Sequence, residues 1–184
     1  MLLDLHGVDV LVVGAGPIAA GKVAGLHAAG ADVRVVAPRV SPAMRAHLEA
    51  GRARLVAERP YAAGDLDGAR LVVTATGVPD VDDAVGRDAT ARGVWANAAD
   101  HPSACSFILP AVARNGPLTV AVGTDGASPA LARRLRDVAG RMLDDDVVAL
   151  AARLAAERAA VRARGGSTED VDWSAEIDAV VPPP

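Results

Sequence analysis

The residues with the clearest chemical meaning are the glycines after the first apolar run. Val8–Val13 leads directly into Gly14-Ala15-Gly16-Pro17-Ile18-Ala19, which has the spacing G-x-G-x-x-A. Between a strand and a helix, this spacing binds the pyrophosphate of a dinucleotide. Gly14 permits a tight turn, Gly16 lets the backbone approach the anion, and Ala19 allows close helix packing. The helix N-terminus adds unpaired N–H groups. We predict a dinucleotide site, with a purely structural turn as the alternative.

The end of the second predicted strand bears on which dinucleotide binds. NAD sites of this kind carry Asp or Glu about 20 residues after the glycines, to hold the ribose 2′-hydroxyl. Here the strand ends in Val35-Val36-Ala37-Pro38-Arg39 and has no acid. Arg39 could bind the 2′-phosphate of NADP, or it could be a solvated surface arginine. The choice between NAD and NADP therefore stays open.

Asp100 is the candidate for acid–base chemistry. It follows the predicted strand Val94–Ala98, and open parallel sheets bind their ligands at the carboxyl ends of the strands. A carboxylate there can accept a proton from a substrate; the alternative is that Asp100 caps the turn before Pro102. His101 has no second histidine at metal-ligand spacing, so a solvated turn residue is favoured. Cys105 is interpreted as a core residue.

The elements that position these residues follow from hydrophobic patterning and turn residues. In roughly the first hundred residues strands alternate with helices, which predicts a parallel sheet with helices on both faces. The predicted strands are Val8–Val13, Asp32–Ala37, Ala53–Ala57, Leu71–Ala75 and Val94–Ala98; the predicted helices are Pro17–Ala29, Pro42–Glu49 with Ser41 as its cap, and Pro79–Ala91.

After Asp100 the pattern changes to a hairpin followed by helices. The predicted elements are strands Ser106–Ala113 and Leu118–Gly123 around an Asn115-Gly116 turn, a helix Ser128–Leu143 capped by Ser128, and an Ala-rich helix Asp144–Arg164. From Gly165 onward we expect a loosely held tail. An isolated hairpin is marginal in water, so we predict that a second copy pairs with this segment to form a homodimer.

Composition excludes several classes of function. A net charge of −4 and a pI near 5.5, without a basic stripe, argue against nucleic acid as a partner. Aromatic residues are 2% of the chain, too few for a stacking platform. No apolar run reaches the roughly 18 to 20 residues that span a bilayer, and the first residues lack a signal-peptide pattern. A single cysteine fits a reducing compartment, so we expect a cytoplasmic protein.

Five segments, in order and at fitting spacing, resemble the precorrin-2 dehydrogenase family, which also covers the dehydrogenase/ferrochelatase modules of sirohaem synthases. They are GAGPIAAGK from Gly14, the strand end Thr74-Ala75-Thr76, NAADHP from Asn97, CSFILP from Cys105 and SPALAR from Ser128. The resemblance extends from Leu2 to about Leu143. Beyond that point only the helical character matches.

The resemblance implies an α/β fold in three parts. These are a Rossmann-type NAD(P)-binding domain over residues 1–110, a dimerisation segment of hairpin plus helix over 111–143, and a small helical lobe over 144–184. The implied activity is NAD-dependent oxidation of precorrin-2, a tetrapyrrole, to sirohydrochlorin; some members also insert Fe²⁺ into the product. The alternative from another class is a Rossmann domain that senses a nucleotide without catalysis.

The resemblance also implies site residues. Asp100 is the implied catalytic residue and an implied transient contact for Fe²⁺. The implied cofactor contacts are Gly14, Gly16, Pro17, Ile18, Ala19, Pro38, Arg39, Thr74 and Thr76. The implied substrate contacts are Asn97, Thr124, Ser128 and Arg133. Arg133 lies beside Arg134 and Arg136 on one helix, and a solvated helix face is the alternative for all three.

Overall fold

The α/β part of the chain forms a five-stranded parallel sheet, in agreement with the predicted alternation of strands and helices. A computed structural model describes residues 3–99 and 104–183. The strands are β1 (Asp9–Val13), β2 (Asp32–Val36), β3 (Arg54–Ala57), β4 (Leu71–Thr74) and β5 (Trp95–Ala98). The helices are α1 (Pro17–Ala28), α2 (Pro42–Glu49) and α3 (Pro79–Ala91), with a 3₁₀ turn at Ala63–Leu66.

The strand order is β3-β2-β1-β4-β5, so the connection after β3 returns across the sheet to the other side of β1. Open sheets of this kind bind ligands at such a reversal of strand order. Successive residues of β1 face opposite sides of the sheet. Val10 and Val12 belong to one apolar cluster and Leu11 and Val13 to another. Both faces are buried, which explains why β1 is almost continuously apolar.

The remainder of the chain contains an antiparallel hairpin and three helices. Its elements are β6 (Ala111–Asn115), β7 (Leu118–Val122), α4 (Pro129–Gly140), α5 (Asp145–Ala163) and α6 (Ser174–Asp178). The predicted fold class, a Rossmann-type sheet followed by a hairpin and helices, is confirmed. The short helix α6 was not predicted. Among the described helices, none is long and apolar enough to span a bilayer.

The chain forms two compact units, Met1–Leu109 and Pro110–Pro184. The sheet and its helices lie in the first unit, and the hairpin with α4, α5 and α6 lies in the second. The further division of the second unit into a dimerisation segment and a helical lobe stays a prediction. Asp100 and His101 lie outside the described residues.

The prediction that a strand begins at Ser106 was wrong, because β6 begins at Ala111. The residues before it bond to the sheet edge instead. The Ser106 amide donates to the carbonyl of Ala96 in β5 at 2.8 Å, and the Ser106 hydroxyl accepts from the Ala96 amide at 2.7 Å. Pro110, directly before β6, has no N–H to offer a ladder.

The hairpin turn also lies one residue later than predicted. Asn115 pairs with Leu118, so the two-residue loop is Gly116-Pro117. Gly116 has a φ of 53°, and proline then fixes a negative φ, which is the pattern of a type II′ turn. The side-chain amide of Asn115 donates a hydrogen bond to the Leu143 carbonyl at 2.8 Å.

The predicted helix caps are confirmed. The Ser41 hydroxyl accepts from the Met44 amide at the start of α2, and the Ser128 hydroxyl accepts from the Leu131 amide at the start of α4. Each cap is followed by a proline at the first helical position, where a missing N–H costs no hydrogen bond. Helix α4 ends at Gly140, three residues before the predicted end at Leu143.

Candidate functional site

A cavity of about 600 Å³ opens at the carboxyl ends of β1, β2 and β4. This volume lies within the roughly 300 to 1,000 Å³ of ordinary ligand sites. Four chain segments form its walls: the glycine turn after β1, the loop after β2, the loop after β3, and the β4–α3 connection. Of the residues predicted to contact a cofactor, Gly14, Gly16, Pro38, Arg39 and Thr76 line the cavity.

The glycine turn has two glycines with different structural roles. Gly14 has a φ of +107°, and a Cβ there would lie 2.5 Å from the Ala75 carbonyl oxygen. Gly14 is therefore needed for the turn and for the close approach of β4. Gly16 has an ordinary φ of −76°, and a Cβ there would meet nothing within 4 Å. The open space beside Gly16 is where an anion could approach the backbone.

The start of α1 offers backbone donors. No side chain caps this helix, and its first turn contains no acidic residue. The amides of Ile18 and Ala19 are among the first N–H groups of the helix, which have no intrahelical acceptor. The side chains of Pro17 and Ile18 are exposed and that of Ala19 is fully buried against the sheet, and none of the three lines the cavity. Any contact from Ile18 or Ala19 would therefore come from the backbone.

The loop after β2 is held at both ends. The Gly14 amide donates to the Val36 carbonyl at 2.9 Å, and the Ser41 amide donates to the Ala15 carbonyl at 3.0 Å. Both bonds join the loop to the glycine turn. The residues between these anchors include Pro38 and Arg39, and they form the wall of the cavity next to that turn.

The wall from the β4–α3 connection is organised by a buried carboxylate. Asp82 is 4% exposed, and its Oδ1 accepts hydrogen bonds from the hydroxyls of Thr74 and Thr76, the second at 2.7 Å. The Thr76 hydroxyl also accepts from the Val78 amide at 3.0 Å. Thr74 is fully buried and does not line the cavity. It is linked to the cavity wall through Asp82 and Thr76.

The loop after β3 is held by a half-buried ion pair. The guanidinium of Arg59 donates to both carboxylate oxygens of Asp65, at 2.9 and 2.6 Å, and to the Pro60 carbonyl at 2.8 Å. The Ala62 amide donates to the same carboxylate at 2.8 Å. These bonds fix the backbone of Pro60 and Tyr61, which line the cavity. The Tyr61 hydroxyl donates to Asp88 at 3.0 Å. Burial, followed by the bond to Asp88, raises the pKa of Tyr61.

We expect the Asp65→Asn variant to have a free energy of unfolding about 1 to 2 kcal/mol lower at pH 7, because two charge-assisted bonds are lost. The hydrogen bond from Arg59 lowers the pKa of Asp65 in the folded protein. A depressed folded-state pKa gives stability above the unfolded-state pKa, near 4, and loses it as the pH falls through the folded value. Urea denaturation from pH 7 to pH 3 should therefore show the two proteins converging in acid. A constant difference would contradict this role.

Asn97 has a structural function beside the described end of β5. It is 7% exposed, and its amide donates to the Phe107 carbonyl at 2.9 Å. The Ala98 amide donates to the Cys105 sulfur at 3.1 Å, so the chain at Cys105 is tied to the strand. Cys105 is partly buried there. A direct contact between Asn97 and a substrate stays a prediction, as does the role of Asp100.

The other predicted substrate residues lie in the second unit. The Thr124 hydroxyl donates to the Ser128 carbonyl at 3.1 Å and accepts from the Ser128 amide at 3.2 Å, which closes the loop between β7 and α4. Asp125 in this loop has a left-handed φ of 50°. Arg133 is exposed on α4, and within the described residues its guanidinium has no hydrogen bond or ion pair. Contacts from these residues to a substrate stay predictions.

Sequence reasoning missed Tyr61, which lines the cavity, and the buried Asp82, which bonds to Thr76 of the cavity wall. Asp82 could have been found, because it shares a helical face with Val85 and Ala89, both buried; an acid on an apolar face implies buried donors. No comparable signal marks Tyr61, which lies in an irregular loop. In residues 3–99 and 104–183 there is no group of three or more His, Cys, Asp or Glu side chains that could hold a metal ion.

Comparisons with known proteins agree with this architecture. The family model described as putative NAD(P)-binding matches residues 1–111 of the chain. A second model, described as sirohaem biosynthesis protein central, matches residues 115–137. Together these matches extend over the sheet and into the hairpin and α4.

The chain is similar to several siroheme synthases. It is 39% identical over 183 residues to that of Methylobacillus flagellatus, covering 98% of this chain and 39% of that protein. It is 44% identical over 133 residues to that of Azotobacter vinelandii, covering 72% of this chain and 28% of that protein. The chain thus spans about two fifths or less of the length of these relatives.

The fold of this chain is also similar to that of a solved structure. The structure of SirC, a precorrin-2 dehydrogenase, superposes with a TM-score of 0.71 at 28% sequence identity, and the match covers 98% of this chain and 86% of that one. The sheet with its glycine turn, the hairpin and the helices that follow all fall within the matched region. The chain therefore belongs to the precorrin-2 dehydrogenase family, which also includes the dehydrogenase modules of the siroheme synthases.

Proposed function

We propose that this protein oxidises precorrin-2 to sirohydrochlorin with NAD⁺ as the hydride acceptor, in the biosynthesis of sirohaem. The observation that carries the proposal is the cavity lined by Gly14 and Gly16 at the carboxyl ends of β1 and β2, in a chain of this family. A cytoplasmic location remains part of the proposal.

The residues of the cavity fit a dinucleotide. The open space beside Gly16 admits a pyrophosphate to the backbone, and the uncapped start of α1 supplies donors and a favourable dipole. Apolar side chains from the loop after β3 and from the start of α3 line another part of the cavity and suit a purine ring; they belong to Pro60, Tyr61, Val78, Val81 and Ala84. When bound, NAD⁺ would supply the hydride acceptor.

The reaction removes two hydrogens from the tetrapyrrole, one as a hydride and the other as a proton. We assign the proton to the carboxylate of Asp100. It lies two positions after the end of β5, and the carboxyl end of that strand borders the crevice in which such sheets bind ligands. A carboxylate in this position can act as a general base.

The carboxylate groups of precorrin-2 require cations and N–H donors. We propose that Arg133 contacts them, because its guanidinium is exposed and has no partner among the described residues. The N-terminus of α4, after Thr124 and Ser128, adds backbone N–H groups. A guanidinium can bind a carboxylate through two parallel hydrogen bonds, which adds geometric specificity.

The proposal is tested by mixing the protein with precorrin-2 and NAD⁺ and following the absorbance of sirohydrochlorin. We expect product to accumulate with an equal yield of NADH, at a rate proportional to the protein concentration. No product above the protein-free control would refute the dehydrogenase activity. Binding of NAD⁺ without any oxidation would instead favour a nucleotide-sensing domain.

Insertion of Fe²⁺ into sirohydrochlorin is a further activity that the family resemblance predicts. Asp100 would then accept the two pyrrole N–H protons one after the other, passing the first to water before it takes the second, as the substrate metal enters. The measurement is the rate of metal insertion when Fe²⁺ is added to ready-made sirohydrochlorin under anaerobic conditions. A rate equal to that without protein would restrict the protein to dehydrogenation.

We also propose that the protein is a homodimer formed through the second unit. Three apolar side chains repeat along one face of α4 and are between 44% and 49% exposed: Leu131, Leu135 and Val138. Met142, just beyond the end of the helix, is 66% exposed. The three side chains on α4 follow a helical period, and Ala132 is the buried residue of this helix. A two-stranded hairpin with one helix is a small core, and a second copy would cover the exposed face.

We expect sedimentation equilibrium at micromolar concentration to give the mass of a dimer. Leu135→Glu should weaken association by roughly tenfold or more, since a charge would be buried without a partner. Arg133→Glu, on another face of α4, is the control and should change the dissociation constant much less. A wild-type protein that sediments as a monomer would contradict the proposal.

A further inference from the structure

A buried carboxylate lies behind one wall of the nucleotide cavity. Asp82 is 4% exposed, belongs to the first turn of α3, and does not itself line the cavity. We infer that Asp82 is a positioning residue for the cofactor: through the Thr76 hydroxyl it holds Val78 and the start of α3 where the cavity receives the nucleotide. The inference rests on the proposed function, since it assumes that the cavity binds NAD⁺. It adds a residue that supports binding without touching the cofactor.

One carboxylate oxygen joins the two ends of the β4–α3 connection. Oδ1 of Asp82 accepts hydrogen bonds from the hydroxyl of Thr74, the last residue of β4, and from the hydroxyl of Thr76, the second at 2.7 Å. Thr74 is fully buried, so this side of the carboxylate is anchored in the sheet. An acid buried this deeply requires such donors. The connection is therefore tied to β4 through a side chain of α3.

The Thr76 hydroxyl links the carboxylate to the start of α3. No side chain caps this helix at Val78, and the Val78 amide instead donates to Oγ1 of Thr76 at 3.0 Å. A hydroxyl has one proton to donate. The Thr76 oxygen lies 2.7 Å from the Asp82 carboxylate and 3.2 Å from the Val78 carbonyl, so the charged and nearer acceptor takes that proton. A lone pair of the hydroxyl oxygen then faces the Val78 amide.

Val78 is the apolar part of the wall that this arrangement fixes. Its side chain is 48% exposed and lines the cavity, as do Thr76 and Val81. On the strand side, the Ala75 amide donates to the Val13 carbonyl at 2.9 Å, which holds the same connection next to the glycine turn. A wall that is already in place loses less conformational freedom when a ligand binds than one that must be ordered. Loss of the carboxylate should therefore weaken binding although no direct contact is removed.

The test measures NAD⁺ binding to the whole chain by calorimetric titration. Asp82→Leu keeps the bulk of the side chain and removes its acceptor. It should weaken NAD⁺ binding by roughly tenfold, the effect of one hydrogen bond to a charged group. Asp82→Asn should stay within about threefold of wild type, because a carboxamide oxygen can accept the same two hydroxyl protons. Adenosine 5′-monophosphate, which carries the purine, should lose affinity in parallel with NAD⁺ in Asp82→Leu.

Thr76→Val shows whether Asp82 acts through the hydroxyl. It removes that group with little change of shape, and binding should weaken about as much as in Asp82→Leu. The variant with both substitutions should bind NAD⁺ within about twofold of either single variant, because the two residues belong to one hydrogen-bonded set. Effects that multiply in the double variant would overturn the inference. Unchanged affinity in Thr76→Val would also overturn it, even where Asp82→Leu does not fold.

Val85→Ala is the matched control for stability. Val85 is fully buried on the same face of α3, almost one turn after Asp82, and it does not line the cavity. Its truncation should destabilise the fold and leave the dissociation constant of NAD⁺ within about twofold of wild type. Equal weakening in Val85→Ala would show that Asp82 contributes only to stability, and the positioning role would be refuted.

Steady-state kinetics give a second readout. Asp82→Leu should raise the KM for NAD⁺ by about the same factor as the Kd and leave kcat at saturating NAD⁺ within about threefold, the pattern of a loss of uniform binding. If the wild-type protein oxidises precorrin-2 and Asp82→Leu binds NAD⁺ equally well, the inference fails and the proposed function stands. If the wild-type protein binds NAD⁺ but oxidises no precorrin-2, the proposed function fails, and the titrations still decide the role of Asp82.

Discussion

Asp100→Asn is expected to oxidise precorrin-2 between roughly 10²- and 10⁴-fold more slowly than the wild-type protein, which is the usual contribution of a general base. The substitution keeps the shape of the side chain but removes its ability to accept a proton. Because Asp100 follows β5, on the opposite side of β1 from the β2–α2 loop, NAD⁺ binding should change little. The reduction in kcat is therefore the diagnostic quantity, measured with saturating NAD⁺.

Asp32→Asn provides the control for this experiment. It makes the same chemical change at the first residue of β2. This amino end of the strand lies away from the carboxyl end, where the cavity opens. Its rate should stay within about twofold of wild type. An Asp100→Asn variant with normal kcat would show that Asp100 is not the base, and the capping alternative would then account for it.

The glycine turn yields the second large effect, in two variants that separate binding from folding. Gly16→Val is expected to weaken NAD⁺ binding by roughly a hundredfold, because a side chain would occupy the space through which the pyrophosphate reaches the backbone. Its stability should fall by only about 1 kcal/mol, the cost of a poorer N-cap residue. The ordinary φ of −76° and the absence of any atom within 4 Å of a Cβ support this expectation.

Gly14→Ala should instead destabilise the fold, by roughly 3 kcal/mol or more. Its φ of +107° is strained for any residue with a Cβ, and that Cβ would lie 2.5 Å from the Ala75 carbonyl oxygen. Urea denaturation measures both variants, and calorimetric titration with NAD⁺ measures binding to the folded protein. Undiminished binding in Gly16→Val would contradict the pyrophosphate site. Wild-type stability in Gly14→Ala would contradict the geometry of the turn.

Most of the sheet could be predicted from the sequence because its signals are local. The apolar run of β1 and the serine-proline starts of α2 and α4 each occupy a few consecutive residues. At those points the backbone conformation is determined by the side chains of the same few residues. The hairpin was predicted for the same reason, but its turn lies at Gly116-Pro117, since Asn115 bonds to Leu143 and pairs with Leu118.

The walls of the candidate site were less predictable because their contacts join distant parts of the chain. Thr74 and Thr76 were expected to contact the cofactor alike, yet Thr74 is fully buried and bonds to Asp82 on the next helix. The ion pair of Arg59 and Asp65 fixes the backbone at Tyr61. It depends on a 3₁₀ turn in a segment that has no hydrophobic periodicity. Neither of these side-chain contacts produces a motif or a hydrophobic period in the sequence.

By itself the sequence determined the family, the strand–turn–helix unit and the two glycines on which the candidate site is built. These depend on short-range backbone preferences and on hydrophobic periodicity. Only the tertiary structure decided which side chains form the cavity, that Arg39 stands on an anchored loop without a partner among the described residues, and that the apolar face of α4 is exposed. Exposure and pairing depend on the whole packing of each unit, and that packing is set by contacts between residues far apart in the sequence.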